Sequence, residues 1–300
     1  MSSPELIKMT VDFTVKQDKE GSTLAGFLRG EGVSAALIKK IKFLPDGILV
    51  DGVKQNTDYK VKTGEKIVIN VYDRKEDAEK STVIPQDIPM DIVYMDRCCM
   101  VVDKPYYMPV HPSFNHPTDT LANAFCGYWQ QRGEEKIFRA VNRLDRNTSG
   151  LVLIALDPFS AERLKGRVEK VYTAVVQGRV EPAEGTIELP IARQTESIIT
   201  RCVRDDGQYA RTDYKVVKQN EKFSLLDIKL HTGRTHQIRV HFSHLGYPLV
   251  GDDLYGGSLE VIGRHALHCR KLEFVSPDTD QKVVINSKFP DDIQQIVIKI

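Results

Sequence analysis

The chain has 300 residues, of which 41% are hydrophobic and 28% charged, and its formal net charge is +1. This is the composition of a folded protein with one large domain and a small accessory domain, which excludes disordered and fibrous classes. No apolar run approaches the roughly 18 residues of a membrane-spanning helix, and the start MSSPELIKMT lacks a signal-peptide core, so we expect a cytoplasmic protein with no membrane partner.

We predict that residues 1–71 form a small N-terminal domain. The pattern of helices and strands is clearest between residues 21 and 70. Turn signals containing Pro-Asp-Gly and Thr-Gly separate its elements. In chain order we predict two helices and two short strands: Ser22 to Arg29, Ser34 to Phe43, residues 48–53 and residues 66–71. The second helix carries a basic cluster that either is simply solvated or contacts a polyanion: Lys39, Lys40 and Lys42.

A charged stretch separates this domain from the rest of the chain. Residues 72–86 contain DRKEDAEKST and almost no core residues, which is typical of a linker. Residues 87–300 alternate apolar strands with short helices and show no internal repeat. We predict that they form a single domain of the size of a catalytic domain.

Within that domain, LVLIAL at residues 151–156 is an uninterrupted apolar run of strand length, which predicts a buried strand. The preceding loop, NRLDRNTSG, places Asp145 near the core between Arg143 and Arg146. A carboxylate in such a position is costly to bury unless a cation pairs with it. The residues alone leave open whether Asp145 forms a salt bridge that holds the loop in place or takes part in catalysis.

The next segment predicts a helix followed by a strand. Asp157 supplies an N-cap and Pro158 a first-turn proline for a helix through Glu169, and VYTAVV at residues 171–176 predicts a strand that Tyr172 opens. From residue 139 to residue 179 the chain carries eight basic residues against four acidic ones. This local excess is consistent with either a solvated face or a nucleic-acid contact.

A strand from Phe223 to Leu230 is predicted next, followed by a helix with apolar residues at the spacing i, i+4, i+7. Gly246 and Pro248 end this helix, and Arg234 lies at its entrance. Four histidines lie close together here, but they include no H-E-x-x-H and no nearby carboxylate or cysteine: His231, His236, His241 and His244. We therefore predict no metal site, and the five cysteines include no C-x-x-C pair.

Five ordered segments resemble the RluA-type family of RNA pseudouridine synthases, and the match spans most of residues 92–275. They are DKPYYMPVHPS at 103–113, NRLDRNTSGLVLIA at 142–155, KVYTAVVQG at 170–178, LHTGRTHQIRVHFSHLGYPLVGDDLYG at 230–256 and HALHCRKLEF at 265–274. One departure is Asn142, where the family often has histidine, and we expect it to affect loop packing rather than chemistry.

The resemblance implies an α+β fold with a mixed, mostly antiparallel central sheet. The N-terminal unit is similar to the small RNA-binding module of the S-four type, named after a ribosomal small-subunit protein. On that resemblance Lys39, Lys40 and Lys42 would contact RNA phosphates through shape and charge.

The resemblance also assigns roles to individual residues. Asp145 would be the catalytic carboxylate that acts at the sugar while the uracil detaches, rotates and rejoins through carbon 5. Arg234 would pair with Asp145 and keep it ionised. Tyr172 would stack on the displaced base, and Arg143 would occupy the space that the flipped nucleotide leaves. The isomerisation is redox-neutral, so no cofactor is expected.

Alternatives remain at this stage. The same chemistry on transfer RNA competes with large-subunit ribosomal RNA, which the N-terminal module favours, and a non-catalytic RNA-binding homologue is a second possibility. A glycosidic hydrolase would need a second carboxylate as proton donor, for which Asp252 and Asp253 are the available candidates. We expect the protein to act as a monomer.

Overall fold

A computed structural model describes residues 7–73, 83–114, 116–195, 197 and 199–300. No helix among them is long and apolar enough to cross a membrane. The strands are β1 Ile7–Thr14, β2 Ile48–Val50, β3 Val53–Lys54, β4 Lys66–Asp73, β5 Asp91–Met95, β6 Cys99–Lys104, β7 Ser149–Ala155, β8 Glu169–Gln177, β9 Glu184–Glu188, β10 Ile191–Arg193, β11 Arg201–Val203, β12 Arg211–Gln219, β13 Phe223–Leu230, β14 Leu267–Val275 and β15 Lys282–Asn286. The helices are α1 Leu24–Gly30, α2 Ala35–Ile41, α3 Leu121–Gln130, α4 Pro158–Leu164, α5 Gln237–His244 and α6 Asp291–Val297.

The N-terminal unit is a four-stranded sheet of order β1-β4-β2-β3 with α1 and α2 packed on it. Both helices begin after a hydroxyl cap, because Thr23 accepts a hydrogen bond from the Gly26 amide and Ser34 accepts one from the Leu37 amide. The cap of α1 thus lies one residue after the predicted start at Ser22. Strand β1 precedes the unit predicted from residue 21. Its apolar residues nevertheless alternate as a strand requires: Ile7, Met9, Val11 and Phe13.

The larger unit is built on a nine-stranded sheet of order β5-β6-β7-β14-β8-β13-β12-β9, with β15 paired to β14. The β7–β14 pair is parallel, and the other pairs of this sheet within the described residues are antiparallel. The predicted α+β class with a mostly antiparallel sheet is therefore confirmed. Strand β7 is buried at every position, as the run LVLIAL predicts for a central strand.

Where the loop that carries Asp145 enters β7, the backbone of Gly150 lies very close to the backbone of Cys269 on β14. Gly150 has φ +110°, and a Cβ added there would lie 2.4 Å from the Cys269 carbonyl oxygen on β14. Only glycine accommodates that backbone conformation and that distance. Asn142 is buried beside this entry, where its side chain donates to the Leu151 carbonyl and accepts from the Leu153 amide, at 3.0 and 2.8 Å. Asn142 thus fixes the chain that leads into the loop.

Helix α4 follows β7 and is capped by Asp157, whose carboxylate accepts the Ser160 amide at 2.8 Å. The prediction that this helix reaches Glu169 is wrong, because α4 ends at Leu164 and Glu169 opens β8. Gly166 has φ +70°, a left-handed conformation that ends the helical segment before the strand.

Phe159 on α4 joins the two units. Its side chain is 1% exposed and is part of the hydrophobic core of the N-terminal unit, where its ring meets Phe13 edge-on at 6.2 Å between centroids. The predicted linker lies largely on residues 74–82, outside the described residues. At its C-terminal end, the Ile84 carbonyl accepts a hydrogen bond from the side-chain amide of Asn123 on α3, and the Gln86 amide donates to the Asn123 carbonyl. The two units are therefore in direct contact.

We predict that Phe159→Ala loosens the N-terminal unit from the rest of the protein, because it removes a buried ring from that unit's core. Such truncations cost about 3–5 kcal/mol. Limited proteolysis should release the unit faster from the variant than from the wild type. Phe43→Ala is the matched control, since Phe43 belongs to the same unit and is 74% exposed. Equal cleavage of both variants would show that Phe159 does not anchor the unit.

Candidate active site

A pocket forms where three parts of the large unit meet: the loop before β7, the start of β8, and the first turn of α5 with the turn that leads into it. Asp145, Tyr172 and Arg239 line it from these three directions. The elements bring together residues far apart in sequence, because β8 lies beside β14, which in turn pairs with β7. The pocket therefore contains a carboxylate, a phenol and a guanidinium facing one space.

Asp145 is 30% exposed at its side chain, so the carboxylate is both accessible and partly desolvated. Its Oδ2 lies 3.3 Å from Nη1 of Arg239 and 3.8 Å from Nε2 of His236. The Asp145 carbonyl accepts the Thr148 amide at 3.1 Å, and the Thr148 hydroxyl hydrogen-bonds His265 at 2.8 Å. This turn holds the carboxylate at the pocket wall.

Arg239 is held rigidly behind Asp145 by a second carboxylate. Its Nε and Nη2 each lie 2.7 Å from an oxygen of Asp252, whose side chain is fully buried. Burial acts to lower the pKa of Arg239, but the hydrogen bonds and charge of Asp252, with the charge of Asp145, outweigh it and raise the pKa. Arg239 is thus a permanent cation placed between two carboxylates.

The prediction that Arg234 pairs with Asp145 is corrected by this geometry. Arg234 lines the same pocket, but its Nε donates to the Tyr209 carbonyl at 3.0 Å and its side chain is exposed. It lies in the turn before α5, whereas Arg239 lies within α5 on the face that packs inward. A buried arginine on that helix needs a carboxylate partner, but the burial of Arg239 is visible only in the structure, so no signal in the sequence singles it out.

Tyr172 lies at the start of β8 and is 6% exposed. Burial, followed by the charges of Cys269 and Asp145, raises the pKa of Tyr172 well above its ordinary value. The phenol is therefore neutral at physiological pH. Its neutral side chain lines the pocket, and its stacking on a base stays a prediction.

The remaining predicted residues occupy two places. Arg143 is exposed at the mouth of the same pocket. The three lysines belong to the N-terminal unit, where Lys39 and Lys40 are exposed and Lys42 lies with its ammonium 4.7 Å from the Phe43 ring centroid. They do not line the pocket, and their contact with RNA stays a prediction.

Lys104 is an unforeseen part of the site's support. It is 1% exposed, and its ammonium donates to the carbonyls of Pro105 and Met108, each at 2.8 Å, and to that of Arg146 at 3.4 Å. Burial lowers the pKa of Lys104 to about 7, although the charge of Asp145 acts in the opposite direction. Lys104 ties the loop after β6 to the loop that carries Asp145.

The histidines near α5 make separate contacts. His231 pairs with Asp213, His241 bridges the Thr212 hydroxyl and the Leu189 carbonyl, and His236 bonds Tyr255. Over the described ranges, no group of three or more histidines, cysteines or carboxylates is arranged to hold a metal ion.

Comparison with known proteins gives one consistent result. The family model described as RNA pseudouridylate synthase matches residues 99–244. An uncharacterized RNA pseudouridine synthase of Bacillus subtilis, YjbO, is 37% identical over 89% of this chain and 95% of its own length. Ribosomal large subunit pseudouridine synthase D of Xanthomonas campestris is 35% identical over 83% of this chain and 80% of its own. The solved structure of human RNA pseudouridylate synthase domain containing 1 aligns with a TM-score of 0.56 at 25% identity, covering 71% of this chain and 95% of the human one.

Proposed function

Since the chain belongs to the RluA-type family of RNA pseudouridine synthases and is an isomerase that converts uridine to pseudouridine in RNA, we propose that Asp145 is its catalytic carboxylate. The observation that supports this is the position of Asp145: partly exposed in the pocket, with one oxygen next to the buried guanidinium of Arg239. A carboxylate paired at one oxygen is held in orientation while its other oxygen keeps access to a ligand. The reaction breaks the bond from N1 to the sugar, forms one from carbon 5, and moves the proton of carbon 5 without redox change.

The neighbouring residues take distinct parts in this proposal. Tyr172 stacks against the detached base, because its ring is neutral and faces the pocket. Arg239 takes the pairing role that the resemblance assigned to Arg234, with its Nη1 3.3 Å from Oδ2 of Asp145. Arg143, exposed at the mouth, fills the space left by the extruded nucleotide and offsets part of the cost of flipping it.

A glycosidic hydrolase fits this site less well. Such an enzyme needs a second carboxyl group that can donate a proton near the first. Both oxygens of Asp252 are engaged by Arg239, at 2.7 Å each, and its side chain is fully buried. Asp252 therefore serves as a structural anchor for Arg239 rather than as an acid.

The proposed substrate is large-subunit ribosomal RNA. Its support is the name of the related synthase D, together with the lysines of α2, which are suited to contact RNA phosphates. In a strain lacking the gene, we expect one or a few pseudouridines to disappear from large-subunit ribosomal RNA and to return on complementation with the wild type. Mapping pseudouridine across all cellular RNA is the measurement. Sites lost only from transfer RNA would contradict the substrate while leaving the chemistry intact.

A further inference from the structure

His236 occupies an unusual backbone position next to Asp145. It is the N-cap residue of α5 with φ +58°, in the left-handed region, and its side chain makes no capping hydrogen bond. A residue other than glycine in this region is strained, so the surrounding structure must hold it there. Its imidazole is 12% exposed and lies in the pocket with Nε2 3.8 Å from Asp145 Oδ2.

A short chain of hydrogen bonds fixes which nitrogen of His236 carries the proton. The backbone amide of Arg201 on β11 donates to the Tyr255 hydroxyl oxygen at 2.9 Å, and that hydroxyl lies 2.8 Å from Nδ1 of His236. Nε2 faces the carboxylate of Asp145, which favours a proton on that nitrogen. We therefore assign the Tyr255 hydroxyl, whose oxygen already accepts from Arg201, as the donor to Nδ1. Nδ1 is then an acceptor, and the imidazole proton lies on Nε2, the nitrogen that faces Asp145.

The surroundings keep this imidazole neutral. Burial lowers the pKa of His236, the charge of Asp145 opposes that shift, and the charge of Arg239 reinforces it. The charged or titratable groups that face His236 come from several elements: Asp145, Arg201, Arg239, Asp252, Tyr255 and His265. Tyr255 also places its ring 4.9 Å from the Arg239 guanidinium, so the same side chain packs on both partners of Asp145.

We propose that His236 is a positioning residue for Asp145, held by Tyr255 so that its Nε2–H points at Oδ2. This inference rests on the proposed catalytic role of Asp145. Arg239 and His236 both approach Oδ2, so together they orient the carboxylate with Oδ1 toward the substrate. The 3.8 Å separation is longer than a hydrogen bond, and catalytic contacts of this kind commonly tighten when the substrate binds.

Tyr255→Phe tests the proposal, because it keeps the ring on Arg239 and removes only the hydroxyl that donates to Nδ1. We expect kcat to fall roughly fivefold to tenfold while KM for RNA stays unchanged, because the variant loses about one hydrogen bond in the reacting complex. Neutral His236 loses its donor in the variant, so the pKa of His236 rises. Protonated His236 would form an ion pair with Asp145 and make that carboxylate less reactive, so the acid limb of kcat moves to higher pH. Tyr209→Phe, on an exposed tyrosine of the same unit, should change neither quantity.

A double variant separates this role from simple packing. In a His236→Asn background, chosen because asparagine tolerates the left-handed backbone, adding Tyr255→Phe should reduce kcat no further. An undiminished second loss would mean that Tyr255 acts through Arg239 and would overturn the proposal, as would a wild-type pH profile for Tyr255→Phe. If Asp145→Asn is inactive while Tyr255→Phe behaves as wild type, only this inference fails. If Asp145→Asn is active, the proposed function itself fails.

Discussion

Asp145→Asn is expected to lower kcat by on the order of 10⁴-fold or more, a loss of the size seen when an essential catalytic group is removed from an active site. Asparagine keeps the size of the side chain and deletes its charge and basicity. Because Asp145 is 30% exposed and pairs with Arg239 at only one oxygen, the change should cost little stability. Affinity for RNA should also persist, since phosphate contacts supply most of it.

The assay is pseudouridine formation on ribosomal RNA from a strain lacking the gene, with binding measured on the same RNA. Asp253→Asn is the matched control, because Asp253 is an exposed carboxylate in the short 3-10 helix Asp253–Tyr255, close to the site. We expect it to retain wild-type turnover. Substantial turnover by Asp145→Asn would eliminate the proposed role of that carboxylate.

Replacing Arg239 should have the second largest effect, on both stability and rate. Arg239→Gln leaves the fully buried Asp252 without its bidentate partner, and breaking a buried pair in this way costs about 3–5 kcal/mol. It also removes the guanidinium next to Asp145, so we expect kcat/KM to fall by roughly 10²–10³-fold even under conditions where the variant is folded. Urea unfolding and steady-state kinetics measure the two effects separately.

Arg234→Gln provides the comparison, because Arg234 is exposed and donates to a backbone carbonyl rather than to a carboxylate. Its free energy of unfolding should stay within about 0.5 kcal/mol of the wild type, as for most surface changes. If instead Arg234→Gln is the destabilised and inactive variant, the Arg239–Asp145 pair seen in the structure is not the pair that supports catalysis.

The difference between these two arginines shows where sequence patterns stop being informative. The run at residues 151–156 and the strand from Phe223 to Leu230 are local patterns, and both form as predicted. Which arginine meets Asp145 depends on how α5 is rotated against the sheet and on Asp252, which lies 13 positions further along the chain. The residue at the N-cap of α5, His236, has a left-handed backbone conformation that no periodicity in the sequence announces.

The sequence also gave no sign that the two units are in direct contact. A charged stretch before residue 86 suggested independent units, and composition alone supports that interpretation. In the sequence, Phe159 is an ordinary apolar residue in the first turn of α4. Such a residue can pack in the core of its own domain or against another domain, and the sequence does not distinguish the two. Only the packing shows that its ring belongs to the core of the N-terminal unit.

Strand β7 therefore has the loop that carries Asp145 at one end. At its other end, α4 carries Phe159, which contacts the N-terminal unit. Six residue steps from Ser149 to Ala155 span about 20 Å at the usual rise of a strand. Because every residue of β7 is buried, a core substitution in this strand is expected to disturb both the wall of the pocket and the contact with the N-terminal unit.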